Sequence, residues 1–383
     1  MKRVFVDFYG VLNLGDDLFI KILLERYKDT KFVLMLDHKM RAPFYAYENI
    51  EFCEPVKKTY LERFLCKISE KMKNRFYIVN LRKTKQIVKN EFESIDGYIN
   101  IGGSIFIESN NKNLSHDLYS YKLDLLSDKE KFILGANFGP YHSEIFKRKF
   151  VDIFSKFSDI SFRDLTSFNE FPMLDNVRVN PDIVFSMNKN NKNNKNNKNN
   201  KNNKNNEKVV GISVIDLKNR NISEHYDSYF DFILNTIKYW AEMKYTIKIF
   251  SFCSFEGDER FITEVLEVIP EKYRKFVDVV KYEGVIDTMI EEISSISIFY
   301  ATRFHAMILG LIYSDVVIPI SYSKKMNNLL NDLDYSGDIL EINALSNVCH
   351  ESLILKNKVD LDISKLRVDA EHHFLELDAF LEK

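Results

Sequence analysis

Short β-branched and aromatic runs alternate with longer amphipathic segments along almost the whole chain. In the first half "RVFVDFY", "KFVLML", "RFYIVN", "DGYINIGG", "KFILGANF" and "DISFRD" read as strands. In the second half "KVVGISVID", "YTIKIFSF", "FVDVVKY", "SISIFYAT" and "DVVIPIS" do the same. Between them lie helical patterns such as "DDLFIKILLERY", "EIFKRKFVDIFSKF", "YDSYFDFILNTIKYWAEM" and "ERFITEVLEVI". Such alternation predicts parallel sheets covered by helices. With 383 residues, the expectation is α/β with two Rossmann-like domains.

The boundary is marked by "NKNNKNNKNNKNNKNNKNN", Asn188 to Asn206, which has period three and nothing apolar to bury. Such a tract reads as a solvated linker, spanning roughly 25 Å as a flexible coil. The expected organisation is an N-terminal domain over 1–187, a linker over 188–207 and a C-terminal domain over 208–350. A tail over 351–383, ending in "AEHHFLELDAFLEK", is expected to pack back on the N-terminal domain. In open parallel sheets ligands bind beyond the carboxyl ends of the strands, so the site is sought in an interdomain cleft.

Charge narrows the partners. The net charge is −2, and with the six lysines of the tract removed it becomes −8, which argues against nucleic acid. Four scattered cysteines show neither CxxC spacing nor a disulfide framework, which fits a reducing compartment. The start "MKRVFVDFYG" is too interrupted for a signal peptide, and no apolar run approaches a membrane span. The expectation is a cytoplasmic protein, with at most peripheral contact at the inner face of a membrane.

Several strand ends carry chemistry. "NLGDDLF" follows the first strand: Gly15 suits a sharp turn, Asp16 a helix cap and Asp17 the first helical turn. The alternative is that Asn13 and Asp17 face a ligand, with Asp17 accepting from a sugar hydroxyl. "NIGGSIF" places Gly102, Gly103 and Ser104 after an apolar strand, where backbone N–H groups can meet an anion or hydroxyl. It is neither GxGxxG nor a Walker loop. His116 follows in a polar stretch. "SFRDLTSFN" ends a strand with Arg163 and Asp164, either as an ion pair with a cap or as an arginine presented to a carboxylate or phosphate. "NPDIVF" carries Asp182, as a turn former or at the edge of the cleft. "ATRFHA" sets Arg303 and His305 two apart at a strand end, where extended backbone would aim both the same way. A buried arginine must be paired or face an anion. A histidine beside it can transfer a proton near neutral pH. The bland reading is a core histidine and an arginine bridged to an aspartate. Tyr322 and Lys324, in "PISYSKKMNNLLNDL", stand where the next helix begins.

Taken in order, these residues resemble the polysaccharide pyruvyl transferase family. The series runs N-x-G-D-D at Asn13 to Asp17, the turn at Gly102 and Gly103, "NFGP" at Asn137 to Pro140 and R-D at Arg163 and Asp164. It continues with P-D at Pro181 and Asp182, R-x-H-A at Arg303 to Ala306 and Y-x-K at Tyr322 to Lys324. The resemblance implies a fold similar to GT-B glycosyltransferases. It also implies transfer of the pyruvyl group of phosphoenolpyruvate onto sugar hydroxyls as a ketal. Phosphoenolpyruvate would be a co-substrate, with no metal and no cofactor, and the acceptor a saccharide, free or lipid-linked. In that scheme Arg303 and Arg163 clamp the donor's anionic groups, His305 is the general acid or shares phosphate binding, and Lys324 assists. Asn13, Asp17, Ser104 and His116 would line the acceptor half. Ser104 and Asn137 depart from the family's usual glycine and glutamine, which leaves the acceptor open.

Two other readings share the fold. A GT-B glycosyltransferase would use a nucleotide sugar, with "SFEGDE" at Ser254 to Glu259 offering a carboxylate to a ribose. A non-catalytic binding protein would have inherited the scaffold alone.

Overall fold

The computed structural model describes residues 1–57, 70–108, 114–187, 208–218, 220, 222–345, 348–358 and 360–382, without the side chains of 70–77 and 114–118. The expected linker over 188–207 lies outside these residues. The chain forms two compact units. One comprises Met1–Tyr9, Leu23–Asn180 and His372–Lys383; the other comprises Gly10–Ile22 and Pro181–Glu371.

The first unit holds a seven-stranded sheet. Its strands are β1 (Arg3–Asp7), β2 (Lys31–Met35), β3 (Ile50–Cys53), β4 (Gly97–Ile101), β5 (Glu130–Ala136), β6 (Asp159–Phe162) and β7 (Val177–Val179). Their order is β3-β2-β1-β4-β5-β6-β7, parallel throughout. The chain enters at β1, builds outward to β3, then crosses to β4 and builds the other way. The order therefore reverses between β1 and β4. In open sheets that reversal is where strand ends diverge and leave a crevice. β4 is buried at every residue, as a central parallel strand requires. The sheet packs against a phenylalanine-rich core, with Phe106, Phe138, Phe150, Phe154 and Phe171 in mutual ring contact.

The second unit holds a six-stranded sheet. Its strands are β8 (Val209–Ser213), β9 (Thr246–Ser251), β10 (Val277–Lys281), β11 (Ile298–Ala301), β12 (Val316–Ser321) and β13 (Leu340–Glu341). The order is β10-β9-β8-β11-β12-β13, again parallel, so the reversal falls between β8 and β11.

Three expectations are corrected. "RFYIVN" is part of the helix Glu70–Phe92, not a strand. The run sits inside 23 residues without glycine or proline, so nothing stops the helix and a short apolar stretch is absorbed into it. Residues 10–22 and 181–187 belong with the C-terminal sheet, although they precede the Asn/Lys tract. Of the tail, only His372–Lys383 joins the first unit, where Arg178 donates to the His373 carbonyl at 2.8 Å and Arg26 pairs with Asp378 at 2.8 Å. Residues 351–371 stay with the second unit. No helix among the described residues is long and apolar enough to cross a membrane.

Candidate functional site

In the second unit, β8 and β11 end side by side at the reversal. Ser213, the last residue of β8, accepts at Oγ from the backbone N–H groups of Thr302 and Arg303 at 3.0 and 3.2 Å. That fastens the β11 end before the helix Phe304–Tyr313 starts. Arg303 is still extended, and the helix begins one residue later. The two-residue periodicity expected for Arg303 and His305 is therefore broken between them, and their side chains diverge.

Arg303 turns toward the loop and helix after β9. Its guanidinium donates to both oxygens of fully buried Asp258, Nε at 3.1 Å, and to Glu256. Asp258 also accepts from the Phe252 and Cys253 backbone N–H groups at 3.0 Å each. Burial disfavours both charges, yet Arg303 is held firmly protonated by the two carboxylates. Burial keeps Asp258 above the ordinary carboxylate range even against Arg303 and those two N–H bonds. The expected role of Arg303 as an anion clamp is corrected accordingly. Its donors are committed to internal carboxylates, and it anchors the β8–β11 reversal. Two of the three "SFEGDE" carboxylates expected for a ribose, Glu256 and Asp258, are those same internal partners, and the third, Glu259, pairs with Lys281 at 3.0 Å.

Glu256 also accepts from Arg220 at 2.6 Å. The Arg220 guanidinium lies 5.4 Å from the centre of the Tyr322 ring, and Lys325 Nζ lies 5.8 Å from it and 5.6 Å from the Phe304 ring. Burial alone would raise the Tyr322 phenol, but Lys325, Arg220 and Arg303 bring it below its usual value. Lys325, Arg220 and Arg303 thus act on one phenol against Glu256, and the positive charge prevails. Lys324, expected here, is exposed, and its neighbour Lys325 faces the ring. Residue 325 is one step further into the first turn of the helix Lys324–Asp332, about 100° around its axis.

His305 turns the other way. Its Nε2 lies 3.6 Å from Asp182 Oδ2. Asp182 is fully buried and spends Oδ1 on the Val184 backbone N–H at 2.9 Å. The imidazole meets Phe19 edge-on at 5.2 Å and presses on Gly15, where a Cβ would come within 2.7 Å of Cγ and overlap Nδ1. Glycine is required there for close approach. The helix Leu14–Arg26 that carries it is capped by Asn13, whose Oδ1 accepts from the Gly15 N–H at 3.1 Å, with Asp16 inside its first turn. The Leu14 N–H donates to the Phe252 carbonyl at 3.1 Å. Asp17, expected to receive a sugar hydroxyl, is buried and accepts from Tyr282 Oη at 2.7 Å. Burial raises its pKa well above the usual carboxylate value. Asn13 and Asp17 are thus bonded within the second unit, which corrects their expected place in the acceptor half.

In the first unit, Gly102 has φ 140°, a backbone that L side chains avoid. A Cβ on Gly103 would come within 2.6 Å of the Arg163 Cζ. Arg163 is 3 % exposed, and its guanidinium donates to Asn137 Oδ1 at 2.7 Å. The same oxygen accepts from Ser104 Oγ at 3.1 Å. Arg163 therefore braces the glycine turn rather than standing open at the sheet edge, correcting its expected clamp role. Asp164 caps the helix Leu165–Asn169 through the Ser167 N–H at 2.7 Å. His116 lies in the helix Leu114–Leu125, with its side chain outside the described residues.

Sequence reasoning did not single out Arg220, Lys325 or the pairing of Asp182 with His305. Gly15 next to a later histidine leaves no signal in a single sequence, whereas Arg220 and Lys325 could be found only once Tyr322 was placed.

The sequence pattern of the polysaccharide pyruvyl transferase family matches residues 13–324, from the Gly15 turn to the Lys324 helix. The chain belongs to this family. Among curated proteins none matches by sequence. Among solved structures, the UDP-GlcNAc 2-epimerase of Methanocaldococcus jannaschii aligns over 98% of this chain and 99% of its own, at 10% identity and TM-score 0.57. A glycosyltransferase of Rickettsia africae aligns over 99% and 97%, at 10% identity and TM-score 0.53. Anabaena HepE, solved with UDP and glucose, aligns over 100% and 99%, at 12% identity and TM-score 0.52. At these identities the likeness concerns the fold, which is GT-B-like.

Proposed function

We propose that the protein transfers the pyruvyl group of phosphoenolpyruvate onto two hydroxyls of a saccharide, forming a ketal. The observation that carries this reading is His305, held between Gly15 and the buried carboxylate of Asp182 within a chain of the pyruvyl transferase family. The reaction needs a proton delivered to the donor's methylene carbon, attack of a hydroxyl on the adjacent carbon, loss of phosphate and closure by a second hydroxyl. The imidazole Nε2 lies 3.6 Å from Asp182 Oδ2, and a histidine can transfer a proton near neutral pH. The side chain of His305 keeps 13% exposure, with Nε2 buried beside Asp182. Arg220 and Lys325 beside Tyr322, in the same unit as His305, offer positive charge of the kind a phosphate and a carboxylate require. Arg303 acts behind them by holding Glu256.

The test is phosphate release from phosphoenolpyruvate in the presence of saccharide acceptors. His305→Gln is expected to lower turnover roughly 10²–10⁴-fold with the fold intact. Unchanged turnover in that variant would remove the assignment.

The GT-B likeness to nucleotide-sugar proteins favours a second reading, transfer of a sugar from a nucleotide donor. It requires consumption of a nucleotide sugar with phosphoenolpyruvate untouched.

A further inference from the structure

At the reversal between β1 and β4 the first unit contains a cavity of about 330 Å³. This is at the small end of the usual range for ligand sites, roughly 300–1,000 Å³. Its two ends differ in chemistry. Asp7, the last residue of β1, stands at one end with Asn100 of β4 and Ser104 of the glycine turn. The other wall is aromatic, and its rings fix one another: Phe106 lies 5.3 Å from Phe150 and 6.2 Å from Tyr119, and Phe146 lies 4.8 Å from Phe150.

The polar end is rich in acceptors. Asp7 takes both of its internal donors on Oδ2, from Tyr98 Oη at 2.8 Å and from Lys122 Nζ. Its Oδ1 accepts nothing among the described residues. Asn100 spends one Nδ2 hydrogen on Tyr119 Oη at 3.3 Å, which leaves its carbonyl oxygen and the phenol's own proton. Ser104 spends its proton on Asn137, which leaves its lone pairs. Lys122 balances Asp7, and among the described lining residues Asp7 alone is charged. A ligand that suits this cavity brings several hydroxyl donors, carries no negative charge and presents an apolar face to the rings. An uncharged pyranose does all three, with axial C–H bonds on one face and hydroxyls at the rim.

We propose that this cavity binds one uncharged pyranose ring of the acceptor saccharide, stacked on the aromatic wall and hydrogen-bonded to Asp7, Asn100 and Ser104. The assignment of the ring to an acceptor rests on the pyruvyl transfer proposed above; the binding itself does not. Sugars bearing a carboxylate or phosphate are discriminated against, because Asp7 and two further acceptors would face an anion without a free cation to match it.

The experiment is saturation-transfer NMR on the full chain with methyl glucoside, galactoside, mannoside and N-acetylglucosaminide, and with glucuronate and glucose 6-phosphate as charged counterparts. At least one neutral pyranoside is expected to bind, with saturation strongest on its ring C–H protons, and the charged sugars to bind at least tenfold more weakly. Ile107→Trp, at an exposed lining position, is expected to fill the cavity and weaken binding at least tenfold without lowering thermal stability. Phe146→Ala is expected to weaken it comparably. Equal or tighter binding of the charged sugars, no binding of any neutral pyranoside, or unchanged binding to Ile107→Trp would each overturn the proposal. Pyranoside binding without phosphate release from phosphoenolpyruvate would leave the cavity assignment standing and defeat pyruvyl transfer. Phosphate release unaffected by Ile107→Trp would do the reverse.

Discussion

The imidazole of His305 occupies the space that a side chain at Gly15 would need, its Cγ 2.7 Å from where that Cβ would stand. Two segments nearly 300 residues apart in sequence are thereby fitted to each other at the imidazole proposed above as the proton donor. Gly15→Ala must push the ring off Asp182 or open the Leu14–Arg26 helix. Misplacement of a reacting group by about 1 Å can cost on the order of 10²-fold in rate. Gly15→Ala is expected to lose that much turnover in a phosphate-release assay while the circular dichroism spectrum is retained. Turnover within twofold of the parent would mean that the ring position is not critical.

Arg303 and Arg220 both bond to Glu256, but burial separates their roles. Arg303 is buried on fully buried Asp258, and removing one partner of such a pair costs about 3–5 kcal/mol. Arg303→Met should therefore lower the unfolding midpoint sharply in thermal or urea melts. Arg220 is more exposed and lies over the Tyr322 ring. Arg220→Ala should leave the melt nearly unchanged and raise the KM for phosphoenolpyruvate at least tenfold. Reversal of the two outcomes would move the anion-binding role back to Arg303.

Asp17 makes a pH-dependent prediction. Its folded-state pKa lies above the unfolded value of 3.8 because burial penalises the carboxylate. The folded state therefore holds the proton more tightly. The stability this contributes is fully present below pH 3.8 and is lost as pH rises through the folded-state value. An asparagine keeps an acceptor for Tyr282 Oη with no charge to bury. Asp17→Asn is thus expected to melt higher than the parent near pH 7, with the gain shrinking toward pH 4. A gain that grows as pH falls would contradict the burial of this carboxyl.

Much of the fold is visible in the sequence because parallel strands buried on both faces must be continuously apolar. All five runs in the second half are strands, β8 to β12. "RFYIVN" has the same local composition and is helical, since what decides it is the absence of any stop in the surrounding 23 residues. The division of the chain is less legible. The Asn/Lys tract marks a change of composition, whereas residues 10–22 join the second unit through contacts such as Leu14 to Phe252 and Asp17 to Tyr282, which no local pattern encodes. At the site, the residue types at strand ends were readable, but their partners were not. Arg303 and "SFEGDE" both stood out as charged segments. Only the fold shows that Asp258 and Glu256 neutralise Arg303, leaving Arg220 and Lys325 to face Tyr322.

The central claim is that the transferred group comes from phosphoenolpyruvate. It is tested most directly by incubating the full chain with carbon-13-labelled phosphoenolpyruvate and unlabelled UDP-glucose together, over a panel of saccharide acceptors, and identifying the product by NMR. The account predicts a labelled ketal carbon bonded to two acceptor oxygens, with phosphate released in equal amount and UDP-glucose unconsumed. A product carrying unlabelled glucose, with UDP released and the labelled donor intact, would contradict it.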